Sequence, residues 1–222
     1  MISPLSGLIW AGAAGATLTS GYLAGMALAA LSNRKGPPEG PSGSTRFAVI
    51  IPAHDEEAML PQTLRSLALQ TYPHELYEVH VIADNCSDRT AALARDLGAT
   101  VHERHDPANP GKGQAIAWLL PQLTSKPDVY VFIDADTTVD PDLLVAFDRR
   151  FASGSDALQA SYRVSDPESA PLITLRALAF GLMHELRGRA KARLGLSIGI
   201  WGNGFALSRS VLEEIGWLSF SG

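Results

Sequence analysis

Two kinds of hydrophobic pattern divide the chain. From Pro4 to Leu31 no residue is charged, and the run is rich in Ala, Gly and Leu with no polar face. A helix needs about 20 apolar residues to cross the hydrocarbon core of a bilayer, so this run is expected to be a transmembrane helix. A signal peptide and a buried soluble helix are the competing readings. The first is shorter than this run and begins with a basic stretch that is missing. Arg34 and Lys35 follow the run and no Lys or Arg precedes it, an asymmetry that places the remainder of the chain in the cytoplasm. Gly7, Gly12, Gly15, Gly21 and Gly25 would let another helix approach closely. Gly36 to Thr45 (GPPEGPSGST) has no apolar periodicity and reads as a linker. The organisation expected is therefore a helix with its basic flank over 1–35, a linker over 36–45 and a folded domain over 46–222.

Beyond the linker, short apolar runs alternate with helical spacing. Strands are predicted at Phe47–Ile51, Tyr77–Ala83, Thr100–Glu103 and Val129–Ile133, and helices at Leu60–Leu69, Arg89–Leu97 (closed by Gly98) and Gly113–Leu123. Continuous apolar strands alternating with helices imply a mostly parallel α/β sheet covered on both faces. In such sheets ligands bind beyond the carboxyl ends of the strands. His54-Asp55-Glu56-Glu57, Asp84-Asn85-Cys86-Ser87-Asp88 and Asp134-Ala135-Asp136 each follow a predicted strand, so the three clusters should meet at one edge. A long helical stretch over Leu172–Leu194 carries Leu175, Leu178, Ala179, Leu182, Leu186 and Ala190 on one side. Arg187, Arg189, Lys191 and Arg193 gather at its end. It reads equally as a helix lying at the membrane interface, basic face to anionic lipid, or as an ordinary amphipathic helix.

Composition narrows the picture. Charged residues make up 18% and hydrophobic residues 46% of the 222, which excludes disorder. A net charge of −5 with scattered Lys and Arg argues against nucleic acid as a partner. Cys86 is the single cysteine, so no internal disulfide forms. The six histidines show no metal-ligand spacing with it, which argues against zinc. No G-x-S-x-G elbow points to a hydrolase, and Asn109-Pro110-Gly111-Lys112-Gly113 departs from the Walker spacing of an ATPase.

The candidate chemistry lies at the strand ends. Two carboxylates one residue apart after a buried strand repel each other unless a cation sits between them. Asp134 and Asp136 are therefore the candidate metal ligands, and oxygen donors favour a divalent cation such as Mn2+ or Mg2+. The alternative is a solvated turn. Asp84 is placed to accept hydrogen bonds from a base or ribose, while Ser87 or Asp88 caps the following helix. Lys112, flanked by glycines at a helix start, would add a point charge for phosphate. Gly202-Asn203-Gly204 reads as a tight turn or as backbone approached by a ligand. Trp201 beside it is either a sugar-stacking ring or a core residue.

Five ordered strings, VIIPAHDEEAML, VIADNCSDRTAALARDLGA, NPGKGQAIAW, VFIDADTTVDP and GNGFALSRSVLEEIG, resemble family 2 glycosyltransferases of the GT-A fold from about Phe47 onward. The chain is similar to their membrane-bound, polysaccharide-synthase-like branch. The resemblance implies metal-dependent transfer of a sugar, with inversion, from a nucleotide-diphosphate donor such as a UDP-sugar to a glycan or lipid acceptor, at the inner (plasma) membrane. It implies that Pro52, Ala53 and Glu56 line the nucleotide pocket, that Asp84 contacts the base, and that Lys112 lies near base or phosphate. Asp134 would lie against the nucleotide-sugar, Asp136 would be the main metal ligand, and Trp201, Gly202, Asn203 and Gly204 would border the acceptor. The resemblance also brings two departures. Ala83 stands where the family's first acidic residue of its strand-end pair is usual. The Glu-Asp motif that supplies the family's general base is expected just after the Gly-Asn-Gly region and does not appear before Gly222. An enzyme truncated at its C-terminus is therefore expected, binding donor with little or no turnover; a noncatalytic binding or assembly subunit is the alternative.

Overall fold

A computed structural model describes Pro4–Leu31 and Gly43–Trp217. Arg34, Lys35, most of the linker and the last residues, Leu218 to Gly222, lie outside the described residues. The chain divides into two compact units, Met1–Pro37 with Ser161–Gly199, and Pro38–Ala160 with Ile200–Gly222. Residues 161–199 thus group with the N-terminal helix, whereas the sequence pattern assigned them to the sheet domain.

The second unit is a six-stranded sheet of β1 (Phe47–Ala53), β2 (Tyr77–Asp84), β3 (Thr100–Arg104), β4 (Val129–Phe132), β5 (Ala157–Gln159) and β6 (Phe205–Ser208). Their order is β3-β2-β1-β4-β6-β5. The first four strands are parallel, and β6 runs antiparallel to both β4 and β5. The β-branched run of β1 places alternate side chains on opposite faces, as the pleat requires. Val49 and Ile51 pack under α2 (Leu60–Ala68) with Leu60, Leu64 and Leu67 and, from α5 (Leu143–Ala152), Leu144 and Phe147. Ala48 and Ile50 pack on the other face with Ile116 and Leu119 of α4 (Lys112–Leu119) and Leu212 of α8 (Arg209–Ile215). Helices therefore cover both faces, as the alternation predicted.

The predicted elements agree with the structure to within a few residues at each end. Between β2 and β3, α3 (Thr90–Asp96) ends where Gly98, at φ +84°, takes a left-handed turn and its N–H bonds the Arg95 carbonyl at 3.0 Å. Four elements carried no readable signal: α5, β5, β6 and α8. In α5 the buried face includes Asp148, whose carboxylate accepts the N–H groups of Gly43 and Thr45. A charged residue at a core position breaks the apolar spacing that identifies a helix.

The first unit holds α1 (Pro4–Leu31), α6 (Pro171–Phe180) and α7 (Arg187–Arg193), with a π-helical turn over Gly181–Leu186 joining the last two. Met26 and Ala30 of α1 close on Ala190 of α7, and Arg193 donates to the carbonyl of Ala30. Gly12–Leu31 is long and apolar enough to cross a membrane, with only 11% of it buried, which does not fit a soluble core helix. Trp10, Leu18 and Leu28 are more than 70% exposed. Thr17 and Thr19 donate their hydroxyls to the carbonyls of Ala13 and Gly15 at 2.9 Å, one turn back along the helix. The helical side expected over 172–194 is divided: Leu175, Leu178 and Leu182 are exposed, while Ala190 is buried. The π turn accounts for this, since it adds a residue to one turn and rotates the face that follows.

Candidate functional site

The reversal of strand order in the sheet lies between β1 and β4, and their carboxyl ends open into a cleft of ≈ 690 Å³. Such switch points are where open α/β sheets bind ligands. Pro52, Ala53, Glu56, Asp84, Lys112, Asp134 and Asp136 all line it, together with His54, Asn85, Pro107, Pro110, Gly111, Ala115 and Ala135. All the residues expected to bind donor and metal are thus brought to one cavity.

Each wall has a local cause. After β1 the chain turns through Asp55 at φ +51°. The Asp55 carboxylate accepts the Ser87 N–H at 2.7 Å, which holds its pKa below the ordinary value. Across the same gap Glu57 N–H donates to Asp88 at 3.0 Å, and Arg89 N–H donates to Glu57 at 3.1 Å. The loops after β1 and β2 therefore clasp each other. Ser87 or Asp88 was expected as the cap, but α3 begins at Thr90 with Arg89 in the cap position; Asp88 acts from one residue earlier, its carboxylate taking the Thr90 N–H at 2.9 Å. Gly111 enters α4 at φ +111°, a conformation that L side chains rarely adopt, and delivers Lys112 to the cleft. The ammonium of Lys112 bonds the Asp134 carboxylate and the Gly202 carbonyl.

Asp84 is buried at the end of β2, in register with Arg104 at the end of β3. Arg104 donates to Asp84 Oδ1 at 2.6 Å, and the Asn85 side chain donates to the same oxygen at 3.0 Å. Trp201, Gly202, Asn203 and Gly204 stand beside the cleft and are not part of its lining. They buttress the aspartate turn instead. Asn203 Oδ1 accepts the Asp134 N–H at 3.0 Å and its amide donates to Thr137 at 2.9 Å. Gly202 and Gly204 have φ of +84° and +65°, which explains both glycines. Gln159 holds the loop from the far side, accepting the Trp201 N–H at 2.8 Å and donating to the Asn203 carbonyl at 2.7 Å.

The charge distribution fits a divalent cation. Burial, then the neighbouring charges of Asp136, Asp88 and Asp134, raise the Glu56 carboxyl above its ordinary range. Besides Asp84, which Arg104 pairs, Glu56, Asp134 and Asp136 line the cavity with Lys112 bonded to Asp134, and all three offer hard oxygen ligands. Another group, Asp55, Cys86 and Asp88, has ligand atoms within 4.8 Å of one another. Its carboxylates already take backbone N–H groups and its thiol is pushed up in pKa by burial, which marks a structural clasp.

Arg104, Asn85 and Gln159 were not singled out by the sequence pattern. The signal for Arg104 was present: a cation closing a strand whose neighbour ends in Asp84.

A model of the family described as glycosyl transferase family 2 matches residues 48–216. The chain belongs to that family. Within it, the chain is 30% identical over 186 residues to the probable glycosyltransferase YdaM of Bacillus subtilis (strain 168), covering 77% of this chain and 42% of that protein. It therefore spans about two-fifths of the length of that relative. Among solved structures, the mannosyltransferase PcManGT from Pyrobaculum calidifontis, in complex with GDP-Man and Mn2+, superposes with a TM-score of 0.69 at 20% identity, over 95% of this chain and 57% of that one. Glucosyl-3-phosphoglycerate synthase from Mycobacterium tuberculosis, in complex with UDP, gives 0.52 at 25% identity, over 76% and 58%. The fold of this family 2 glycosyltransferase domain is thus GT-A.

Proposed function

We propose that this family 2 domain is the donor-binding part of an enzyme that transfers a sugar, with inversion, from a nucleotide-diphosphate donor, a UDP-sugar in the first instance, to a glycan or lipid acceptor; the chain itself binds donor, and the base that takes the acceptor proton is not among the residues that line the cleft. The convergence of Glu56, Asp84, Lys112, Asp134 and Asp136 on one cleft at the strand-order reversal carries this reading. Asp84 receives the base or ribose, and Lys112 exchanges its bond to Asp134 for one to the donor phosphates. Asp134 and Asp136 would hold Mn2+ or Mg2+, which would supply charge stabilisation for a departing diphosphate. The Gly202–Gly204 loop and Trp201 border the acceptor. The UDP complex of glucosyl-3-phosphoglycerate synthase and the Mn2+ and GDP-Man complex of the mannosyltransferase are in line with this chemistry.

We further propose that α1 anchors the protein as a single span of the inner (plasma) membrane, with the sheet unit cytoplasmic. The exposed apolar surface of α1 supports the span, and Arg34 and Lys35 support its orientation. The exposed leucines of α6 beside the basic residues of α7 fit a helix lying at the lipid interface.

Calorimetric titration of UDP with and without Mn2+ tests the site. Binding is expected to strengthen with Mn2+, and Asp136→Ala to remove the metal-dependent part. Equal affinity with and without metal would overturn the assignment.

A further inference from the structure

Arg104 lies outside the cleft and is 6% exposed, yet it bonds Asp84, which lines the cleft, and the loop 106–109, whose Pro107 also lines it. One guanidinium nitrogen bonds Asp84 Oδ1 at 2.6 Å; the other bonds the Asp106 carboxylate at 2.9 Å and the Asn109 carbonyl at 2.8 Å. Asn85 repeats the bridge. Its side-chain amide bonds Asp84 Oδ1 at 3.0 Å and the Asp106 carbonyl at 3.3 Å, and its side-chain oxygen accepts the Asp106 N–H at 2.8 Å. Both bonds to Asp84 fall on the same oxygen. Asp84 itself lines the cleft.

We infer that Arg104, with Asn85, sets the nucleobase selectivity of this site by fixing Asp84 with one oxygen engaged and the other available to the base. This rests on the cleft being the donor site. A fixed acceptor oxygen receives a ring N–H, which uracil presents at N3. Cytosine, of the same size, presents a lone pair at that position and leaves the oxygen unpaired. Discrimination of this kind is large where a buried polar group would be left without its partner. Arg104 and Asn85 are positioning residues, since each acts through Asp84 and the loop 106–109.

The test is calorimetry of UDP and CDP, each with Mn2+, on the full chain in detergent. Wild type should prefer UDP by about tenfold or more, the value of one hydrogen bond to a charged group. Arg104→Met should reduce the UDP-to-CDP ratio about tenfold, and Arg104→Lys should retain part of it, because Lys carries the charge without the planar fork. In an Asp84→Asn background Arg104→Met should leave the ratio within about twofold, since the residue through which it acts is already altered. A merely structural role would weaken both nucleotides alike in either background. Removing one partner of a buried ion pair is costly, so Asn85→Gly provides a second arm: it deletes the Asn85 bridge at a position whose φ of +52° glycine adopts freely. Circular dichroism shows which variants fold. An unchanged ratio in the folded variants, or an equal shift in the Asp84→Asn background, overturns the inference. Equal binding of UDP and CDP by wild type also overturns it and leaves the donor site standing. Binding of neither overturns both.

Discussion

The side chain of Asn203 accepts the backbone N–H of Asp134 at 3.0 Å, so a residue 69 positions along the chain fixes the turn that carries both candidate metal ligands. Asn203→Ala is expected to loosen the turn and weaken Mn2+-dependent UDP binding about tenfold. Its cost in stability should be only about 1 kcal/mol, the usual net value of a hydrogen bond. Titration calorimetry beside a thermal melt separates the two effects.

The ammonium of Lys112 bonds the Asp134 carboxylate. Lys112→Met should weaken UDP binding by about 10- to 100-fold, as expected for losing a charge-assisted bond to phosphate. It should leave Mn2+ binding without nucleotide unchanged or tighter, because Asp134 gains a free oxygen. Manganese titration followed by electron paramagnetic resonance reads the second quantity. Weaker Mn2+ binding in the variant would contradict the exchange of partners.

Glu56 ionises above the ordinary glutamate value of 4.5, because of burial and then the charges of Asp136, Asp88 and Asp134. The folded protein therefore holds this proton to higher pH than the unfolded chain does. The contribution of this group to stability falls as pH rises from 4.5 through the raised value. Cation binding has the opposite dependence and should weaken as pH drops through the same window, where the proton competes. Glu56→Gln is expected to flatten both profiles, measured as denaturation midpoint and Mn2+ affinity against pH.

Phe132 stacks on Phe205 with ring centroids 4.7 Å apart and meets Trp217 at 4.9 Å. Phe132→Ala should cost about 3–5 kcal/mol, the range for deleting a buried aromatic ring. Chemical denaturation reads the loss as a lower midpoint at an unchanged slope.

Much of this architecture was legible because the central strands are buried on both faces. Val49, Ile50 and Ile51 are apolar without interruption, and the polar clusters following β1, β2 and β4 fall where a parallel sheet collects its ligands. What remained hidden was set by partners distant in sequence. Phe205–Ser208 forms a strand because β4 and β5 flank it, and Asp148 sits inside a helix because Gly43 and Thr45 satisfy it. Arg104 was not singled out, because its importance depends on the register that sets it opposite Asp84. The glycines of α1 anticipated a close neighbour, yet nothing lies within 4 Å of the position of an added Cβ at any of the five.

The antiparallel strand β6 lies between β4 and β5, so β5 waits for its partner until residues 205–208 have been made. The intervening residues 161–199 belong to the other compact unit. During synthesis the ribosome must therefore deliver that whole excursion before the sheet can gain its last two strands. Until then the edge of β4 carries unpaired backbone groups, a template for pairing with another chain. A chain stalled in the excursion would have β1 to β4 in place and an aggregation-prone border beside them.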